Sequence, residues 1–249
     1  KRTVMTSPEK EHHSTQHNSE TPTNTGLKNW AHSPDMDGVI VLRTFRQSSI
    51  FLARYLPQWV TPNLVTVFGF SLTIPAFFLF LQGTYLATAL AGTLGFLSYF
   101  FDFIDGSLAR IRNSGNIYGQ WLDMYFGRIG VFILFFGATW GVYLQNQSYF
   151  TWLWGFLAYT SALMVGSMYN SFHRLVPAQA KEYIAVEKKK HWIIPNFYYV
   201  EVFYYPLLFI ASLADQLYYF LIFCAVYGWI FTLGTFYLLG KKVKKEAKV

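Results

Sequence analysis

The chain has 249 residues, of which 53% are hydrophobic and 20% aromatic while only 13% are charged, an apolar excess beyond that of an ordinary soluble domain. Its formal charge of +7 does not read as a nucleic-acid footprint, because the basic residues border long uncharged runs instead of lining a soluble face. The single cysteine, Cys224, excludes an intrachain disulfide and a cysteine-built metal site.

Residues 1–38 are polar, rich in Ser, Thr, Asn and His, and too poor in apolar side chains to bury a core. This N-terminal extension is expected to be disordered alone and to order on a partner. His12, His13 and His17 read as part of a solvated tail and not as metal ligands. The chain starts at Lys1, which fits a targeting presequence removed before it, and with that a mitochondrial inner membrane whose matrix side carries the basic residues. Numbering that starts inside a longer chain fits equally.

Residues 39–60, "VIVLRTFRQSSIFLARYLPQWV", mix Arg43, Arg46 and Arg54 with apolar residues at helical spacing, and Tyr55 and Trp59 follow as interfacial anchors. The segment is too charged to span and is predicted to lie in the headgroup plane. Thr61 and Pro62 then supply a cap and a first-turn proline, so the first membrane helix starts there.

No Lys or Arg falls between residues 55 and 109, 129 and 173, or 191 and 240. With about 20 apolar residues per crossing, those gaps hold helices over 62–82, 85–105, 119–144, 149–171, 196–214 and 217–239. Six crossings put every basic cluster, both termini and the basic C-terminal tail 241–249 on one side of the membrane, as the positive-inside rule expects. Pro75 and Pro206 are expected to kink the first and fifth helices. Gly137 and Gly141 form a G-x-x-x-G, a close-packing face for use within the chain or in a dimer. The chain has no internal repeat, and its acids lie toward one face, so an inverted-repeat transporter has no support.

The chemistry concentrates in residues 101–130, "FDFIDGSLARIRNSGNIYGQWLDMYFGRIG". Asp102 and Asp105, three residues apart, share a helical face at the basic-side end of the second helix, and Asp123 lies one turn into the third. Carboxylates gathered in an apolar setting repel each other, and a hard divalent cation is the natural remedy. The loop between the two helices carries Gly106 and Ala109, which leave room, Arg110, which can pair with phosphate, and Gly119 at the next helix start. Together they make a site for a diphosphate. Interfacial helix caps and ion pairs with Arg110, Arg112 and Arg128 are the other reading of the same acids.

The string resembles the CDP-alcohol phosphotransferase signature, D-x-x-D-G-x-x-A-R, eight residues, then G-x-x-x-D-x-x-x-D. Asp102, Asp105, Gly106, Ala109, Arg110, Gly119 and Asp123 stand at its spacing. The resemblance implies an all-α integral membrane protein, six transmembrane helices preceded by an interfacial amphipathic helix, with the membrane domain over 61–240. It implies Mg²⁺ or Mn²⁺ held by Asp102, Asp105 and Asp123, and a CDP-linked lipid or alcohol bound about Gly106, Ala109, Arg110 and Gly119. It also implies transfer of the substituted phosphate to an alcohol with release of CMP, in phospholipid synthesis. His173, Arg174, Lys188, Lys189 and Lys190 are candidates to meet an acceptor phosphate, or form a basic fringe attracted to anionic lipid.

The pattern breaks at its last position, where "DMYFGRIG" has Gly127 in place of the family's aspartate. Glycine offers neither a metal ligand nor a proton acceptor, and general-base help is worth about 10²- to 10⁴-fold. No other acid lies within a turn of residue 127 in sequence. The sequence is therefore expected to encode a catalytically impaired member, a pseudoenzyme kept as a structural or lipid- or nucleotide-binding subunit of a membrane complex, or as a homodimer. An active transferase is the alternative.

Overall fold

The computed structural model describes residues 40–175 and 201–246, and all the described secondary structure is helical. The N-terminal extension with His12, His13 and His17 and the Lys188–Lys190 run lie outside the described residues, as do the side chains of His173 and Arg174. The helices are α1 (Ile40–Tyr55), α2 (Pro62–Ser71), α3 (Thr73–Phe80), α4 (Tyr85–Ile111), α5 (Ile117–Asn146), α6 (Phe150–Leu175), α7 (Glu201–Leu213) and α8 (Leu217–Glu246). Four described segments are long and apolar enough to cross a membrane: Pro62–Phe80, Tyr85–Ile111, Ile117–Asn146 and Leu217–Lys244.

Local chemistry sets the helix ends. Thr61 caps α2, its Oγ1 accepting from the Leu64 N–H at 3.2 Å with Pro62 in the first turn. The expected first membrane helix is interrupted at Leu72, where the Leu72 N–H turns back to the Gly69 carbonyl. Pro75 has no N–H to offer the Ser71 carbonyl, so the ladder fails one turn before the proline. In α7 the helix continues through Pro206.

The second expected helix is too short by six residues. Helix α4 runs on to Ile111 and stops with Asn113 in the left-handed region at φ 49°. There the Ser114 N–H reaches the Ala109 carbonyl and the Asn113 N–H the Arg110 carbonyl, the paired bonds of a Schellman cap. Gly106, Ala109 and Arg110 are thus helical and not part of a loop, and the connection shrinks to residues 112–116. Asn116 caps α5 by accepting from the Gly119 N–H at 2.6 Å, which starts that helix at Ile117. At the other end of the chain α8 continues to Glu246, so Lys241, Lys242 and Lys244 extend a helix.

Helix α4 is the axis of the site-bearing part of the bundle. Helix α7 packs along it at close range: a Cβ on Gly92 would overlap Ser212, Phe96 stacks on Phe209 at 4.8 Å, and Tyr99 lies parallel to Tyr205 at 4.5 Å. Helix α1 lies across the same helix, with Phe45 set among Phe96, Tyr99, Phe100 and Phe103 and a buried Ser49–Ser107 hydroxyl pair at 2.8 Å. Arg112 locks the connection after α4 to the segment after α1, its guanidinium donating to the carbonyls of Leu56, Pro57 and Val60.

Elsewhere, Trp229 donates to the Leu157 carbonyl at 3.0 Å and ties α8 to α6. Buried hydroxyls such as Thr139, Ser212 and Thr232 bond carbonyls of their own helices, which lets small polar residues sit at helix contacts. The outward faces carry Phe68, Phe78, Leu90, Ile129 and Phe132, fit for lipid contact.

The G-x-x-x-G pair serves contacts within the chain. A Cβ on Gly137 would press on Phe77 and Phe80 at 3.1–3.2 Å, and one on Gly141 would sit 2.6 Å from the Phe80 carbonyl oxygen. Gly141→Ala is therefore expected to cost on the order of 1–3 kcal/mol through overpacking. Thermal denaturation in detergent should show a lowered midpoint. Gly234→Ala, with nothing within 4 Å of the added carbon, should leave the midpoint unchanged or raise it slightly.

Candidate metal centre

The three aspartates meet. Asp102 and Asp105 come from the last turns of α4 and Asp123 from the second turn of α5, and one carboxylate oxygen of each lies within 4.8 Å of the others. Asp105 is 6% exposed and is held by the Thr66 hydroxyl of α2, which donates to its Oδ2 at 2.5 Å. Asp102 and Asp123 open onto the cavity.

This donor set fits a hard cation. Oxygens gathered within 4.8 Å of one another are close enough to share a divalent cation or a pair of them. The three aspartates offer oxygen donors only, as Mg²⁺ and Mn²⁺ prefer.

The remaining signature positions are divided. Gly119 leaves room for the Asn63 amide, whose Oδ1 stands 2.6 Å from where a Cβ would be. Gly106 lies under the Arg110 guanidinium, 3.4 Å from where its Cβ would be, and Arg110 also reaches the Ser107 hydroxyl at 3.3 Å. Arg110 is exposed and Ala109 half-buried on α4. None of Gly106, Ala109, Arg110 and Gly119 lines the two hollows that hold the acids. Arg112, weighed as an ion-pair partner, instead spends its donors on backbone carbonyls.

Those hollows, of about 440 and 690 Å³, meet at a common wall made of Asp102, Asp123, Gly127 and Glu201. Gly127 faces open space: a Cβ added there would touch nothing within 4 Å. The glycine is therefore no packing requirement. Glu201 was not singled out by the sequence reading, because it lies 74 positions from Gly127, on another helix. The signal was present as a stripe: Glu201, Tyr205, Leu208 and Ser212 recur at the spacing of one face of a helix, and the last three are buried.

A sequence model of the CDP-alcohol phosphatidyltransferase family matches residues 59–234. The chain belongs to that family, so it is a phosphotransferase-like membrane protein of a divalent-metal-dependent class. No curated protein matches it.

Thr66 positions Asp105 from a third helix, and such supporting bonds are worth about 10- to 100-fold in metal affinity. Thr66→Val keeps the shape and removes the donor. Titration of the purified protein with Mn²⁺ should show a loss of affinity in that range.

Proposed function

We propose that the chain binds Mg²⁺ or Mn²⁺ together with a CDP-linked lipid or alcohol at Asp102, Asp105 and Asp123, and transfers the substituted phosphate to an alcohol with release of CMP. The observation that carries this reading is the convergence of three carboxylate oxygens from two helices within 4.8 Å, with Asp102 and Asp123 on the wall common to two hollows and Asp105 lining one of them. Cations bound there would neutralise the diphosphate and stabilise the leaving oxygen. Asp102 and Asp123 face the ligand, while Thr66 keeps Asp105 from turning away. Arg110, exposed on the same helix, pairs with phosphate, and Gly106 and Ala109 leave space for it to fold back. Gly119 lets Asn63 close on the start of α5.

Gly127 supports a second reading, in which the chain holds metal and nucleotide without turnover and serves as a subunit of a membrane assembly or as a homodimer. We further propose six crossings, with α6 and α7 added to the four candidate spans, within a membrane domain over 61–240. In that arrangement α1, from the 39–60 segment, lies at the interface, since Phe51, Tyr55 and Trp59 are exposed apolar anchors on or just after it. The acids then lie on the side of the basic clusters and both termini, with 1–38 and 241–249 flanking the membrane domain there.

Purified protein in lipid should bind Mn²⁺, and Asp102→Asn or Asp123→Asn should weaken that binding by more than about 100-fold, because each removes a direct ligand. CMP release from CDP-linked donors with Mg²⁺ separates the two readings. Under the second, binding occurs without turnover, and Gly127→Asp raises CMP release by as much as about 10²- to 10⁴-fold.

A further inference from the structure

We propose that Glu201 supplies, from α7, the carboxylate that position 127 lacks. The proposal deepens the transferase reading above and rests on it.

Helices α4 and α7 run antiparallel in a fixed register. Gly92 meets Ser212, Phe96 meets Phe209, and Tyr99 meets Tyr205, so each step up α4 is matched by a step down α7. One further turn brings Glu201 opposite Asp102. Its own helix points the same way: Tyr205, Leu208 and Ser212 are buried on the stripe that Glu201 begins. Glu201 itself is exposed and borders both hollows, and an acid set beside other acids in an apolar bundle is a functional candidate.

The cavity gives the second half. Glu201 and Gly127 line both hollows, and only these two, with Asp102 and Asp123, stand on the wall facing each of them on which the acids lie. Open space lies over Gly127. The longer glutamate side chain, entering from the facing helix, can use the room that a shorter aspartate on α5 would have taken. Glu201 is also within electrostatic reach of Asp102, Asp123 and Arg128. A fourth carboxylate beside two others adds repulsion that cations relieve, and Arg128 offsets part of it.

In that place the carboxylate does two things. It completes the oxygen donors for the cations, and it faces the incoming hydroxyl whichever hollow takes the donor. During transfer the hydroxyl oxygen bonds to the phosphorus that carries the substituent, and the bond from that phosphorus to the CMP oxygen breaks with its electron pair leaving on CMP. The hydroxyl proton passes to a Glu201 carboxylate oxygen and from there to solvent.

Titration of the full chain in lipid nanodiscs with Mn²⁺ alone tests the assignment without any substrate. Glu201→Gln should weaken binding by more than about 100-fold, as loss of a direct ligand does, and Glu201→Asp, which withdraws the charge by one methylene, should give a smaller loss. The double variant Glu201→Gln with Gly127→Asp should recover most of the affinity, together with CMP release if the chain turns over. An ion pair with Arg128 alone predicts unchanged Mn²⁺ binding in Glu201→Gln and no gain from the double variant, and that result overturns the proposal. If Asp123→Asn abolishes binding while both Glu201 variants do not alter it, the metal site stands and only Glu201 is misassigned. If the unaltered chain binds no Mn²⁺, both readings fall.

Discussion

Two unit charges 4.8 Å apart in surroundings of effective dielectric about 20 repel by roughly 3 kcal/mol, and the described site holds three carboxylates at that spacing or less. Helices that merely drifted together would relax by turning those side chains apart. Rotation of α4 is blocked on every side that matters here: Tyr99 is stacked on α7, Phe45 of α1 is wedged among its aromatics, and Ser107 is bonded to Ser49. The fold stores electrostatic cost at one end of α4 and holds it there by packing along the rest. Cation affinity is the form in which that stored cost becomes useful.

Several signature residues act on this arrangement indirectly. Gly119 permits the approach of Asn63 from the start of α2, and the same stretch of α2 carries Thr66 to Asp105. Arg112 joins the short turn between the acid-bearing helices to the carbonyls ahead of α2. Small residues and spent cations are thus the means by which α1, α2, α4 and α5 are fixed to one another beside the cluster.

Much of the fold was legible because charge is so unevenly distributed along the chain. Gaps free of Lys and Arg held long apolar helices, four described segments of which are long and apolar enough to cross a membrane, and Thr61 with Pro62 located the start of α2 to the residue. The end of α4 was misplaced because polarity after Asp105 was taken as a loop, whereas Asn113, a residue tolerant of the left-handed region, was the actual stop signal. The interruption at Leu72 followed from Pro75 but fell a turn ahead of it, where the missing hydrogen bond is felt. Asp102 and Asp105 were legible as neighbours from their spacing on one helix, and Asp123 from the short connection to the next helix and the signature it completes. Glu201 was not, because its nearness to Gly127 depends on how α7 lies against α4, a long-range fact that no local window contains.

The room over residue 127 also bears on descent. A single G-to-A transition at the second base of any glycine codon yields aspartate or glutamate, and no neighbouring atom stands where the first carbon of either side chain would go. Gain and loss of an acid at that position are therefore one-step changes with no repacking to accompany them. Such a site can pass its negative charge from one helix to another in two ordinary mutations, in either order, while the rest of the bundle stays as it is.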